Sequence, residues 1–176
     1  MSRTNPYKKK RRVAKTTVLI YGEGQSEEMF LKHLRKLYGY DSGKAITIKR
    51  GKGGTPQGIV QGAINCPGDY KKRVVVLDND KTKSEMRSAR MKADSSDVII
   101  IENTPCLEKL LLCILEEGRD FEGKTSSQCK KLFEDGYISK KQRAEGYRYS
   151  QVFTKKLLDK RRRSLLTLDC LLKEIE

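Results

Sequence analysis

Two pairs of acidic residues have the type and spacing to do chemistry together. Glu23 and Glu27 lie four apart, the first in a Gly-Glu-Gly turn and the second one helical turn further on. Asp78 and Asp80 lie two apart, directly after an apolar run at 74–77. Residues two apart in an extended segment point the same way, so this D-x-D is expected to aim both acids at one centre. Carboxylates gathered as anions need a compensating charge, and hard divalent cations such as Mg²⁺ or Mn²⁺ prefer oxygen ligands. Two such ions about 3.5–4 Å apart can stabilise both the attacking and the leaving oxygen of phosphoryl transfer. Taken singly, each pair also reads as an ordinary surface turn, with Asp78 and Asp80 bonding their own backbone.

Convergence requires that the elements carrying these acids be neighbours. Residues 16–22 form an apolar strand that ends at the turn holding Glu23. Ser26 can cap a helix in which Met29, Phe30, Leu34 and Leu37 recur on one face. Residues 45–49 read as a second strand. Thr55-Pro56 is a cap followed by an N1 proline, opening a helix with Ile59, Val60, Ala63 and Ile64. A third strand at 73–77 runs into Asp78. A polar helix at about 83–93, a fourth strand at 97–101 and an apolar helix at 107–115 follow. Alternating strands and helices predict a parallel sheet covered on both faces. In such sheets ligands bind beyond the carboxyl ends of the strands, where strand order reverses. In a 2-1-3-4 order, strands 1 and 3 are neighbours there, and Glu23, Glu27, Asp78 and Asp80 meet.

The chain's 176 residues suit one domain, and apolar residues make up only 36 % of it. No stretch approaches the roughly 18 consecutive apolar residues of a membrane-spanning helix. The first apolar run is too short for the core of a secretory signal, so the expected setting is the cytoplasm, with the five cysteines reduced. They form no C-x-x-C pair, and a single histidine cannot complete a zinc site. Lys and Arg number 38 against 23 Asp and Glu, a net charge of +15 that favours polyanionic partners. Residues 1–15 read as a disordered basic arm, with Lys8, Lys9, Lys10, Arg11 and Arg12 as nucleic-acid contacts. Residues 16–118 read as the α/β core and 119–176 as a helical extension packed on it through Leu165, Leu166, Leu168, Leu171, Leu172 and Ile175.

The segment Val18-Leu-Ile-Tyr-Gly-Glu-Gly-Gln-Ser-Glu27, followed by Val74-Val-Val-Leu-Asp-Asn-Asp80, resembles the TOPRIM domain, which carries a glutamate turn after its first strand and a D-x-D after a later one. Its E-G-x-S-E form is closest to the OLD-type nucleases and to RloB-like proteins. The segment Asn103-Thr-Pro-Cys-Leu-Glu-Lys-Leu-Leu-Leu112 is similar to an N-P-x-F-E-x-W-L-L segment of RloB-like proteins, with Thr104 inserted and Leu107 in place of the aromatic. The resemblance covers roughly residues 16–115. It implies a TOPRIM-like, mostly parallel four-stranded sheet and a Mg²⁺-dependent site. Glu23, Glu27, Asp78 and Asp80 would be metal ligands, Glu23 also a general acid or base, and Glu108 a contributor to a second metal. A first-turn glutamate at a helix N-terminus is the plainer reading of Glu108. The resemblance also implies a prokaryotic restriction or phage-defence setting and an ATPase partner.

Other features carry alternatives. Residues 78–82 also spell the D-x-D-x-T of haloacid-dehalogenase-like phosphatases, in which Asp78 would be a nucleophile and Asp80 a general acid. Lys52, in the glycine-rich stretch 51–58, can touch a phosphate, or the stretch is a flexible connection. Lys155, Lys156, Arg161 and Arg162 form a basic cluster that reads either as a strand-holding surface or as a solvated helix face. Tyr137, Tyr147 and Tyr149, among Lys140, Lys141, Arg143 and Arg148, can stack unpaired bases or pack between helices. His33 shares a helix face with Phe30 and Leu37 and reads as a packed histidine rather than a catalytic base. The function expected is a divalent-metal-dependent nuclease acting on DNA or RNA. The alternative is a non-catalytic module that binds nucleic acid or an ATPase.

Overall fold

A computed structural model describes residues 15–139, 141–142 and 147–176. The arm contacts Lys8, Lys9, Lys10, Arg11 and Arg12, together with Lys140 and Arg143, lie outside the described residues. The chain alternates β1 (Thr16–Gly22), α1 (Gln25–Tyr38), β2 (Lys44–Arg50), α2 (Pro56–Ile64), β3 (Lys72–Asp78), α3 (Lys83–Asp94), β4 (Val98–Asn103) and α4 (Leu107–Leu115). Four helices follow: α5 (Ser126–Gly136), α6 (Tyr147–Val152), α7 (Lys155–Arg161) and α8 (Leu166–Ile175). The sheet is all-parallel in the order β2-β1-β3-β4, so strand order reverses between β1 and β3, as expected.

The apolar runs dictate this arrangement. Val74, Val75, Val76 and Leu77 are each no more than 1 % exposed, which requires cover on both faces of β3. Alternation sorts them. Val18, Ile20, Val74, Val76 and Ile101 pack with α1, α4 and the C-terminal helices. Val75, Leu77 and Val98 pack with Ile59, Val60 and Ala63 of α2 and Ala89 and Ala93 of α3. Phe121, Phe133, Tyr149, Phe153, Leu168 and Leu172 belong to the same apolar cluster as Val18 and Val74, so the described residues after 118 complete the core rather than decorate it, although Leu166, expected on the docking face, is exposed.

Local signals set most boundaries. Thr55 caps α2, its Oγ1 accepting from Gly58 N at 3.2 Å, a contact worth about 1 kcal/mol in comparable helices. Helix α1 begins earlier than expected: its cap is Gly24, not Ser26, and Gly24 N donates to the Glu27 carboxylate at 2.9 Å. β4 is displaced from the expected 97–101. Asp97 sits at φ 52, a left-handed turn position that delays the strand, and pairing of Leu77 with Glu102 and Asp78 with Asn103 prolongs it. Among the described residues, no helix is long and apolar enough to cross a membrane.

Candidate functional site

Asp78 is the last residue of β3 and shares a sheet face with Val74 and Val76, so its carboxyl points to the side that α1 and α4 cover. It is 5 % exposed, and its Oδ1 accepts from Leu107 N, the first residue of α4, at 2.8 Å. Glu23 reaches across from the turn after β1, and its Oε2 accepts from Asp78 N at 3.3 Å. Glu27, 6 % exposed, sits in the first turn of α1, and Glu108, 1 % exposed, in the first turn of α4. Two helix N-termini and the ends of two neighbouring strands thus bring together Glu23, Glu27, Asp78 and Glu108. The close approach of Glu27 demands a glycine at 22: a Cβ there would lie 2.7 Å from the Glu27 Cβ.

Lys130 on α5 completes the cluster, with its Nζ 3.8 Å from Asp78 Oδ2. Nothing in the sequence around Lys130 marks it. Its place depends on α5 docking across the start of α4, where Cys106 Sγ meets Ser126 O at 3.9 Å.

The electrostatics follow from crowding. The Asp78 carboxyl is pushed up to about 8, by burial first and then by the neighbouring Glu27 and Glu108, against the pull of Leu107 N–H and Lys130. Burial raises Glu27 as well, with Glu108 and Glu23 adding to it. Burial alone would lower the Lys130 ammonium, but Glu108 and Asp78 outweigh it and hold it above its usual value. The cluster is short of positive charge.

Asp80 departs from expectation. β3 ends at Asp78, and after the bond from Asn79 N to Asn103 O at 2.8 Å the strand ladder stops. The two-residue alternation therefore no longer aims the side chain. Asp80 is exposed and pairs with Lys81 at 3.4 Å, although its charge still reaches Lys130. Among the described residues, no three His, Cys, Asp or Glu side chains are gathered as a ready-made metal cage. The D-x-D-x-T threonine has a local role: Thr82 caps α3, its Oγ1 accepting from Glu85 N at 3.2 Å while Glu85 Oε2 accepts from Thr82 N at 3.0 Å.

The basic residues divide sharply. Lys52 is exposed in the loop between β2 and α2, on the same edge of the sheet as the acids. Lys155 and Lys156 open α7 at the opposite edge, where Lys155 Nζ lies 4.9 Å from the Tyr38 ring. Glu27 and Tyr38 are separated along α1 by 38 − 27 = 11 residues, roughly 17 Å at 1.5 Å per residue. The Lys155 and Lys156 pair is therefore remote from the carboxylates. Arg161 is 7 % exposed, its Nη2 donating to Cys113 O at 2.7 Å and its Nη1 3.1 Å from Glu117. Arg162 pairs with Asp169 at 3.0 Å and Glu176 at 2.7 Å. Both arginines tie helices together.

Tyr149, expected as a base-stacking candidate or a packing residue, is fully buried against Phe30 and Phe153. Tyr137 stacks on Phe133 with centroids 6.0 Å apart. His33 is buried with its Nε2 2.7 Å from Phe153 O, the packed histidine expected. All five cysteines are free thiols.

Compared with known proteins, the chain matches no family model, no curated protein and no solved structure. The fold and site define it as an α/β protein with a parallel sheet and a buried acidic cluster at the switch point, closed on one side by its own C-terminal helices.

Proposed function

We propose that this protein is a divalent-metal-dependent nuclease, hydrolysing phosphodiesters of DNA or RNA. The observation that carries the reading is the meeting of Glu23, Glu27, Asp78 and Glu108 at the carboxyl ends of neighbouring strands, in a chain of net charge +15. The donor set suits Mg²⁺ or Mn²⁺ in kind: all ligands are carboxylate oxygens, and burial, with Glu27 and Glu108 nearby, holds Asp78 up to about 8, a proton that a cation would replace. Asp78 and Glu23 would hold the ion, with Glu27 and Glu108 beside them. When bound, it would supply Lewis-acid polarisation of the scissile phosphate and an activated water.

The chain's own groups do the rest. Leu107 N–H fixes the Asp78 carboxylate, and Asp78 N–H fixes Glu23. Glu23, only half-buried, is placed to take a proton from the attacking water. Lys130 offsets charge that builds on the phosphate oxygens. The prokaryotic defence setting and an ATPase partner belong to this proposal through the TOPRIM and RloB-like resemblance, and a cytoplasmic setting goes with them on the sequence's apolar patterning.

The test is cleavage of labelled single- and double-stranded DNA and RNA with Mg²⁺ or Mn²⁺. Wild type should cut, and Glu23→Gln and Asp78→Asn should each lose at least about 100-fold. Equal cutting by all three proteins sinks the reading. A second reading is a TOPRIM-like binding module that does not cut. Asp78 and Glu27 each already hold a backbone N–H, and no three-ligand cage is preformed. Salt-sensitive binding without cleavage under every metal condition would favour it.

A further inference from the structure

Among the described residues, no β2 residue joins the apolar cluster that α2 and α3 make with the sheet. A cleft of about 550 Å³ opens between β2 and the C-terminal half of α2, lined by Tyr21, Thr47, Lys49, Gly62, Cys66 and Tyr70. Its size falls within the roughly 300–1,000 Å³ of small-ligand sites. One glycine makes room for an aromatic ring. A Cβ on Gly62 would stand 2.9 Å from the Tyr21 hydroxyl. The Tyr70 ring carries the Arg73 guanidinium 5.5 Å from its centroid.

The rim is basic and joins the carboxylate edge. Lys49 is exposed and makes no ion pair among the described residues, and exposed Lys52 continues the run upward past Arg50, whose Nε lies 3.3 Å from Glu28. Arg50 is in register with Gly22, and Gly51 N donates to Gly22 O at 2.9 Å, so the top of the cleft borders Glu23. Aromatic rings beside a cationic track are the means by which proteins hold unpaired bases and their phosphates. A base stacked inside a duplex cannot enter such a cleft.

We propose that this cleft seats an unpaired nucleotide of a single-stranded nucleic acid, the base against the tyrosines and the backbone along Lys49 and Lys52. The proposal rests on the nuclease reading in one respect: the strand then crosses the sheet edge at Glu23, toward Asp78. It makes the substrate single-stranded, or frayed to a single strand at the site.

The experiment uses the full chain without metal, so that cutting does not enter. Labelled short single-stranded and duplex oligonucleotides are titrated by fluorescence anisotropy, and alkylation of Cys66 by N-ethylmaleimide is followed by peptide mass spectrometry. The expected result is preference for the single strand, binding weakened about tenfold by Lys49→Glu or by Tyr70→Ala, and slower Cys66 alkylation when the strand is bound. Unchanged Cys66 alkylation at saturating single strand overturns the proposal. So does single-strand binding that neither substitution weakens, or equal affinity for the duplex. A chain that protects Cys66 yet never cuts with Mg²⁺ or Mn²⁺ keeps the cleft and loses the nuclease reading. A chain that cuts without protecting Cys66 does the reverse.

Discussion

The carboxylate of Asp78 holds the first backbone N–H of α4, at Leu107, across 2.8 Å. One residue thus ends a strand, starts a helix and forms the centre of an acidic cluster. The helix start gains an anion, which its dipole favours. The cluster gains a charge it is ill able to hold.

That conflict makes stability pH-dependent. Asp78 is raised to about 8 in the folded chain from an ordinary 3.8, so the folded state favours its protonated form. The resulting stabilisation is full below about pH 4 and is lost as pH rises toward about 8. Thermal melts without metal should show a Tm at pH 8 at least about 3 °C below that at pH 5.5. Asp78→Asn keeps the acceptor for Leu107 N–H but carries no charge, so its Tm should be flatter over the same range. A wild-type Tm that climbs from pH 5.5 to 8 contradicts this account.

Metal binding should show in the same melts. Mn²⁺ at millimolar concentration should raise the wild-type Tm at pH 8 more than at pH 5.5, since the ion competes with a proton at Asp78. Asp78→Asn and Glu23→Gln should abolish the increment. Persistence of the full increment in both variants would move the metal elsewhere.

Gly22 is set by the neighbour it must pass. Alanine there brings a Cβ to 2.7 Å from the Glu27 Cβ, and the backbone of α1 has to move. Urea unfolding should show a loss of about 1–3 kcal/mol, with the Mn²⁺ effect weakened as well. Gly24→Ala is the control. Its Cβ meets only the far end of Glu27, at 3.2 Å, and Gly24 is extended at φ −144, so the loss should be well under that of Gly22→Ala.

Lys130→Met removes the cation that lies 3.8 Å from Asp78. Stability should fall more at pH 8 than at pH 5.5, because the ionised acids lose their partner. Cleavage, where present, should drop about tenfold or more at saturating metal. A uniform stability loss at both pH values, with cleavage unchanged, would reduce Lys130 to a packing residue.

The arginines of the last helices should behave as struts. Arg161→Ala leaves Cys113 O and Glu117 without their guanidinium partner and should cost about 2–4 kcal/mol, with nucleic-acid affinity per folded molecule unchanged. Lys52→Ala should do the opposite, leaving Tm alone and lowering the salt slope of binding by about one. Exchange of these two outcomes would reverse the assignment.

Much of this architecture was legible before any coordinates. Apolar runs of strand length, a proline after Thr55 and acids at strand ends are local properties, and they suffice for a parallel sheet with Glu23 and Asp78 at its switch point. Local sequence also favoured a packed His33 over a catalytic base, because it shares a helical face with Phe30 and Leu37, and the buried ring bonded to Phe153 O agrees. What the chain could not disclose locally were relations across it. The two acids of 78–80 differ because the strand ladder ends at the first, a fact fixed by pairing with β4 and not by the D-x-D itself. Lys130, 52 residues from Asp78 by the difference 130 − 78, joins the site only because α5 crosses the start of α4. Arg161 and Lys155 look alike in sequence, yet one is buried in a helix junction and the other is exposed at the far edge of the sheet. Charge and periodicity are written residue by residue. Which charges meet is decided by packing, where burial and neighbouring ions set what each group can do.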